Sequence, residues 1–152
     1  MTKKVFLGGT ANNSTWREEL VPQLQIDYFN PVVYDWNEAA QVEEDRQRQE
    51  CDFLLHVITK EMLGFYAITE VVDDSNKRPE KTIFCYLEES FKGHQLKSLQ
   101  ATARLVKENG VQVFTSLEEV AEYLNNQQVE TKIEKSPKIK PWKHFFKSRN
   151  DN

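Results

Sequence analysis

Most apolar residues of the chain fall into short runs, separated by longer amphipathic or polar stretches. The runs lie at residues 3–7, 28–34, 53–58, 82–87 and 111–114. A continuous apolar run of this length is typical of a strand that is buried on both faces of a parallel sheet. The second run contains Pro31, which has no N–H for a ladder hydrogen bond, and this predicts an edge strand.

The stretches between the runs carry helix signals. Thr15 and Glu18 have the spacing of a capping box, and Ser116 and Glu119 have the same spacing. Asn109-Gly110 is a common helix end. We therefore predict helices at residues 15–24, 38–50, 95–108 and 116–124, with one more around Glu70.

Five strands that alternate with helices predict a single α/β domain with a parallel sheet and helices on both faces. Right-handed crossovers leave few topologies, and we expect the flavodoxin-like order 2-1-3-4-5. The chain has 152 residues, which suits one domain. We expect this domain to span residues 1–126, and residues 127–152 to form a basic tail.

Charge is distributed unevenly along the chain. The net charge is −4, but residues 127–152 hold seven Lys or Arg against three acidic residues, which is +4 and leaves −8 for residues 1–126. An acidic body is a poor binder of nucleic-acid backbones, so we expect it to bind a small molecule. The tail mixes bases with Trp142, Phe145 and Phe146. It either engages a partner, an anionic membrane or nucleic acid, or is a disordered or strand-adjacent extension.

The two cysteines, Cys51 and Cys85, each lie in an apolar stretch and lack the spacing of metal ligands. We expect reduced core residues in a cytoplasmic protein, and we predict no metal and no cofactor. The N-terminal residues run straight into a strand without a signal-peptide pattern, and no apolar run is long enough for a membrane span.

Ligands of such sheets bind at the carboxyl ends of the strands, where the loops at residues 8–14, 35–37 and 59–66 are predicted to meet. Gly8 and Gly9 allow close backbone approach, and free amides there favour anions or hydroxyls. The loop matches neither the dinucleotide fingerprint nor a P-loop, and it is equally explained as a tight turn before a helix.

Several polar residues near this edge have two explanations. Trp36 either stacks on a nucleobase or sugar beside a hydrogen-bonding Asp35, or both are plain loop residues. The acids at 43–45 are by default a solvated helix face. Arg17 either reaches the ligand or, as we expect, forms a surface ion pair.

Three further residues are expected to be structural. His56 alternates within a buried strand and is expected to be a core histidine. Trp16 is expected to pack in the core, and Asp52 lies at the amino end of its strand, away from the predicted site.

Glu70 is the most informative acid, because it follows the third strand among apolar and aromatic neighbours in residues 64–78. A single carboxylate in that setting acts as a nucleophile at the edge of the sheet, or it is an exposed helix residue.

Four segments together resemble the nucleoside 2-deoxyribosyltransferase-like family over about residues 3–125. They are residues 4–10, 29–33, 51–55 and 70–79. The resemblance implies a flavodoxin-like fold, homo-oligomers, and cleavage or transfer at the N-glycosidic bond of deoxynucleosides or their monophosphates.

The resemblance also implies roles for residues. Glu70 matches the nucleophile that forms a covalent deoxyribosyl-enzyme. Glu44 matches a second acid that is usually an aspartate, with Asp45 next to it, and the glycine loop matches the segment that lines the sugar or its 5′ side. The predicted catalytic residues are thus Glu70 and Glu44, and the predicted substrate-binding residues are Gly8, Gly9, Thr10, Asn13, Asp35, Trp36, Asp45, Gly64 and Tyr66.

The chain departs from the family near Glu70, where the familiar pattern is Gly-x-Gly-x-Glu. Here Gly64 lies six residues before the acid, and Tyr66 and Ala67 occupy the closer positions. The alternative function is therefore a nucleotide-binding or sensor protein that has the same fold but no catalysis.

Overall fold

A five-stranded parallel sheet forms the centre of the computed structural model, which describes residues 2–134, with side chains through residue 127. The strands run in the order β2-β1-β3-β4-β5, and all four pairings are parallel. This confirms the predicted flavodoxin-like order. The strands are β1 (Lys4–Gly9), β2 (Asp27–Phe29), β3 (Phe53–Ile58), β4 (Thr82–Tyr86) and β5 (Gln112–Phe114).

Five α-helices alternate with the strands, and α2 has the predicted bounds. The helices are α1 (Trp16–Leu20), α2 (Glu38–Glu50), α3 (Tyr66–Lys77), α4 (Gly93–Glu108) and α5 (Leu117–Glu134). Two 3₁₀ turns, Val21–Gln23 and Glu88–Ser90, complete the regular structure of residues 2–134. None of these helices is long and apolar enough to cross a membrane.

The two larger apolar clusters lie on opposite faces of the sheet. On one face, Trp16 and Leu20 of α1 and Leu124 of α5 pack against β1 and β3. On the other, Val71 of α3 and Val106 of α4 pack against β3 and β4. All six residues of β3 are buried, which is why its sequence is a continuous apolar run rather than an alternating one.

The second strand is at the edge of the sheet, as Pro31 predicts, but it is shorter than predicted. We expected residues 28–34, and β2 ends at Phe29. Pro31 offers no N–H, and the Asn30 side chain accepts the N–H of Val32 at 3.1 Å, which turns the chain away from the ladder. Residues 30–37 consequently form a long loop.

One predicted capping box is half formed and the other is absent. Glu119 N–H donates to Ser116 Oγ at 3.3 Å at the start of α5, but the Glu119 carboxylate accepts from the Ser116 hydroxyl at 2.9 Å rather than from its backbone N–H. The Thr15 hydroxyl instead donates to Glu19 Oε1 at 2.9 Å and caps no amide of α1. Helix α1 then ends at Leu20 rather than near residue 24, because Pro22 lacks the N–H that would continue it.

Helix α5 continues to Glu134, past the predicted end at residue 124 and the predicted domain boundary at 126. That boundary stays a prediction. The aromatic residues of the tail for which we considered a partner, Trp142, Phe145 and Phe146, lie outside the described residues.

The residues that we predicted to be structural lie in the core or at the amino edge of the sheet. Cys51 and Cys85 are buried free thiols, and Trp16 is 1% exposed. Asp52 accepts the N–H of Lys4 at 2.9 Å at the amino edge of the sheet.

Candidate functional site

A cavity of about 350 Å³ lies where β1 and β3 end. Its walls are the glycine loop after β1, the loop after β2, one side of α2, and the segment that joins β3 to α3. Eight of the eleven predicted site residues line it: Gly8, Gly9, Thr10, Trp36, Glu44, Gly64, Tyr66 and Glu70.

The other three predicted residues do not line the cavity. Asp45 is one position past Glu44, about 100° around the helix, and its carboxylate accepts from Gln41 Nε2 at 3.1 Å on the exposed side of α2. Asn13 has a φ of 53° in the turn before α1 and is exposed, and Asp35 is exposed in the loop after β2. The three residues therefore lie outside the cavity wall, and their role in substrate binding stays a prediction.

Gly9 is required by the packing of two strands. Its φ is +116°, and a Cβ there would lie 2.1 Å from the carbonyl oxygen of Val57. The next residue completes the junction, because Thr10 N–H donates to that carbonyl at 2.9 Å and Thr10 Oγ1 accepts from Thr59 N–H at 3.0 Å. The glycine loop is thereby fixed against the carboxyl end of β3.

Gly64 has a different role from Gly9. Its φ is outside the left-handed region, and a Cβ there would meet nothing within 4 Å. The absent side chain therefore leaves open space at the wall of the cavity.

Arg17 is buried, and the surface ion pair that we expected is wrong. Its Nε and Nη2 donate to Leu7 O at 3.1 and 2.8 Å, and its Nη1 donates to Thr10 O at 2.7 Å. The guanidinium also lies 4.2 Å from the ring centroid of Trp16. Burial lowers the pKa of Arg17 to about 10, although Glu18 opposes the shift. Arg17 lines the cavity while it holds the shape of the glycine loop.

Glu70 is not an exposed helix residue. It lies in the second turn of α3, its side chain is 16% exposed, and it lines the cavity. Its Oε2 lies 3.0 Å from Nη1 of Arg48, on α2, and the two groups form an ion pair. The carboxylate therefore faces the cavity with a cation behind it.

Asp74 lies one turn after Glu70 on α3, and its side chain is completely buried. It accepts from Arg48 Nη2 at 2.9 Å, from Arg78 Nε at 2.8 Å and from His56 Nε2 at 2.8 Å. Burial opposes ionisation, but the hydrogen bond and charge at His56 and the charge of Arg48 hold the pKa of Asp74 well below its usual range. A charged cluster thus lies beneath the cavity.

The sequence prediction missed Arg48 and Asp74. The signal was the spacing of four residues from Glu44 to Arg48 and from Glu70 to Asp74, which places each pair on one face of its helix. His56 was predicted to be a core histidine, and it is 1% exposed. Its Nδ1 has no hydrogen-bond partner among the described residues.

Two carboxyl groups that line the same cavity, Glu70 and Glu44, have raised pKa values. Burial raises the pKa of Glu70, while His56 and Arg48 oppose the shift. Burial and then the charge of Glu70 raise the pKa of Glu44, against Arg48 and a hydrogen bond from Trp36. The two acids therefore influence each other's ionisation, as coupled groups in a shared site do.

Two aromatic residues lie at the cavity with most of their surface free. Trp36 is 63% exposed and Tyr66 is 72% exposed. Within residues 2–134 there is no group of three or more His, Cys, Asp and Glu side chains that could hold a metal ion.

A comparison with curated proteins finds no match. The family model described as "Nucleoside 2-deoxyribosyltransferase like" matches residues 2–88, from the start of β1 past the end of β4. The match covers more than half of the chain and includes the whole cavity wall. On this evidence the chain belongs to the nucleoside 2-deoxyribosyltransferase-like family.

Proposed function

We propose that this protein cleaves or transfers the N-glycosidic bond of a (deoxy)nucleoside or its monophosphate through a covalent glycosyl-Glu70 intermediate. One observation carries the proposal: in a chain of this family, the Glu70 carboxylate faces a cavity at the carboxyl edge of the sheet and is held there by Arg48.

The proposed reaction has two displacements at the anomeric carbon. A carboxylate oxygen of Glu70 bonds to that carbon as the bond to the base nitrogen breaks, and the electron pair leaves with the base. Water or a second base then attacks the same carbon, and the carboxylate of Glu70 is released. Two inversions give net retention, through transition states that resemble an oxocarbenium ion.

Glu44 is the proposed acid–base partner. Its raised pKa favours the protonated form, and a carboxylic acid beside an ionised one can protonate the leaving base nitrogen. In the second displacement the same group accepts a proton from the incoming water or base.

The cavity walls suggest an orientation for the substrate. Trp36 and Tyr66 offer aromatic faces on which a nucleobase can stack. Gly8, Gly9 and Thr10 would then lie along the sugar, because the glycine loop forms another wall of the cavity.

The test is a panel of deoxynucleosides, ribonucleosides and their 5′-monophosphates, each incubated with and without a second free base and analysed by chromatography. We expect turnover that Glu70→Gln reduces by about a thousandfold or more. The matched control is Asp73→Asn, an exposed carboxylate on α3 that pairs with Lys77 and lies outside the cavity wall.

Turnover that survives in the folded Glu70→Gln variant would contradict the proposal. Tight binding of nucleotides by the wild-type protein with no turnover of any panel member would instead support the non-catalytic alternative.

A further inference from the structure

Arg48 contacts two carboxylates with different ends of one guanidinium group. Nη1 lies 3.0 Å from Oε2 of Glu70, and Nη2 lies 2.9 and 3.0 Å from the two oxygens of Asp74. Arg48 is 15% exposed and is not part of the cavity wall. It therefore approaches Glu70 from the side away from the cavity.

Asp74 holds Arg48 in a way that does not depend on Glu70. Its carboxylate is also bound by His56 from β3 and by Arg78 from the end of α3, and it has no exposed surface. Both oxygens of Asp74 accept from Nη2 of Arg48, and Nε has no hydrogen-bond partner among the described residues. Because the guanidinium is planar and rigid, anchoring Nη2 restricts where Nη1 can lie, and Nη1 points to Glu70.

We propose that Arg48, anchored by Asp74, is the positioning residue that holds Oε2 of Glu70 and leaves Oε1 to attack the anomeric carbon. The inference rests on the proposed function of Glu70. The ion pair to Arg48 is made through Oε2, and among the described residues no hydrogen bond engages Oε1.

The arrangement suits both displacements. When Oε1 bonds to the anomeric carbon, Glu70 loses its negative charge, and Arg48 remains paired with Asp74. When the acceptor attacks, the bond from that carbon to Oε1 breaks and its electron pair returns to the carboxylate. Arg48 is then already in place to stabilise the charge, with no reorganisation of the site.

The ionisation of Glu70 gives a measurement that does not require turnover. The charged groups that affect it come from three elements: Arg48 from α2, His56 from β3 and Asp74 from α3. Glu44 of α2 is also coupled to Glu70. An arginine in contact lowers the pKa of a carboxyl group by about 1–3 units, so its removal should raise the pKa of Glu70 by that amount.

The experiment compares Arg48→Met, Arg48→Lys and Arg46→Met in the full-length chain. Arg46 is a matched control, because it is on the same helix and also pairs with two carboxylates, Glu43 and Glu50, but is half-exposed and away from the cavity. Carboxyl ¹³C NMR titrations follow Glu70, whose signal is assigned from its loss in Glu70→Gln. The dependence of kcat and KM on pH is measured in parallel.

In Arg48→Met we expect the Glu70 titration midpoint to rise by about 1–3 pH units and kcat to fall about 100-fold, with a smaller change in KM. The loss of kcat should persist above the new midpoint, because the charge of Glu70 returns there but its position does not. Lysine supplies a point charge that cannot bridge both carboxylates. In Arg48→Lys the Glu70 midpoint should therefore lie between those of the wild type and Arg48→Met, while kcat stays as low as in Arg48→Met. Arg46→Met should change neither.

An unchanged midpoint in a folded Arg48→Met protein overturns the inference and leaves the proposed function intact. If that variant does not fold, wild-type kcat in Arg48→Lys overturns it equally. The failure of the proposed function has a different signature, which is turnover that survives in Glu70→Gln.

Discussion

Asp74→Asn is the most informative substitution for stability, because it removes the charge at the centre of the buried cluster while it keeps the shape. In the wild type, Asp74 neutralises Arg48 and Arg78 and accepts a hydrogen bond from His56 with no exposed surface. The variant leaves two guanidinium groups without this partner. Breaking a buried ion pair by removing one partner costs about 3–5 kcal/mol. Because Arg48 remains paired with Glu70, we expect Asp74→Asn to lower the free energy of unfolding by about 3 kcal/mol at pH 7.

The pH dependence follows from the lowered pKa of Asp74. A carboxyl group whose pKa is lower in the folded protein stabilises the fold at pH values above its unfolded pKa, about 3.9 for Asp. This stabilisation is lost as the pH falls from there through the folded pKa. The difference in unfolding free energy between wild type and Asp74→Asn should therefore be constant near neutral pH and should narrow below about pH 4.

The assay is urea unfolding of both proteins at several pH values, with Asp73→Asn as the control. Asp73 is the neighbouring residue, and its ion pair with Lys77 is half-exposed, so its loss should cost at most about 1 kcal/mol. A cost for Asp74→Asn no larger than that of the control would refute the reasoning. A difference that stays constant from pH 7 to pH 3 would refute the linkage argument.

Three further substitutions test the walls of the cavity. Gly9→Ala should destabilise the protein by at least about 2 kcal/mol, because φ is positive there and the added Cβ would clash with the backbone of Val57. Gly93 also has a positive φ, +59°, but open space around it, so Gly93→Ala should destabilise the protein by only about 1–2 kcal/mol. Equal unfolding midpoints for the two variants would contradict this. Arg17→Met should lower the free energy of unfolding by about 1–3 kcal/mol, since Leu7 O loses both hydrogen bonds from Arg17 and Thr10 O keeps only the one from Trp16 Nε1. A wild-type midpoint in urea unfolding would contradict this. Trp36→Phe keeps an aromatic face but removes the indole N–H that favours the ionised form of Glu44, so the pKa of Glu44 should rise in a carboxyl ¹³C titration. An unchanged pKa would contradict this.

The sheet order was predictable because four of the five strands are apolar runs bounded by turn signals, and buried parallel strands have that pattern. The end of β2 could not be predicted from the same pattern. Val32 and Val33 continue the apolar run, but Asn30 and Pro31 turn the backbone away from the sheet. The start of α1 at Thr15 was predicted correctly, but the capping box that predicted it does not form. Thr15 and Glu18 have the right spacing, but the hydroxyl of Thr15 bonds Glu19 instead.

The cavity was predictable in outline, because the carboxyl ends of parallel strands share one edge of the sheet. Two features were hidden. Arg17 is held by backbone carbonyls of residues 7 and 10, which converge only after the glycine loop has turned. Arg48 contacts Glu70 and Asp74 across 22 and 26 positions, and the four-residue spacings within α2 and α3 do not show that these two helix faces meet.

The buried cluster of Arg48, Asp74, His56 and Arg78 also has a consequence for the protein's response to selection. Replacing a buried ionic group as a whole by well-packed apolar residues is often neutral or stabilising by about 1–4 kcal/mol. A library selected only for thermal stability should therefore discard these residues together, and a library selected for function should keep them together. The four residues would then be kept or replaced together, because a change at one of them alone lowers stability in either library.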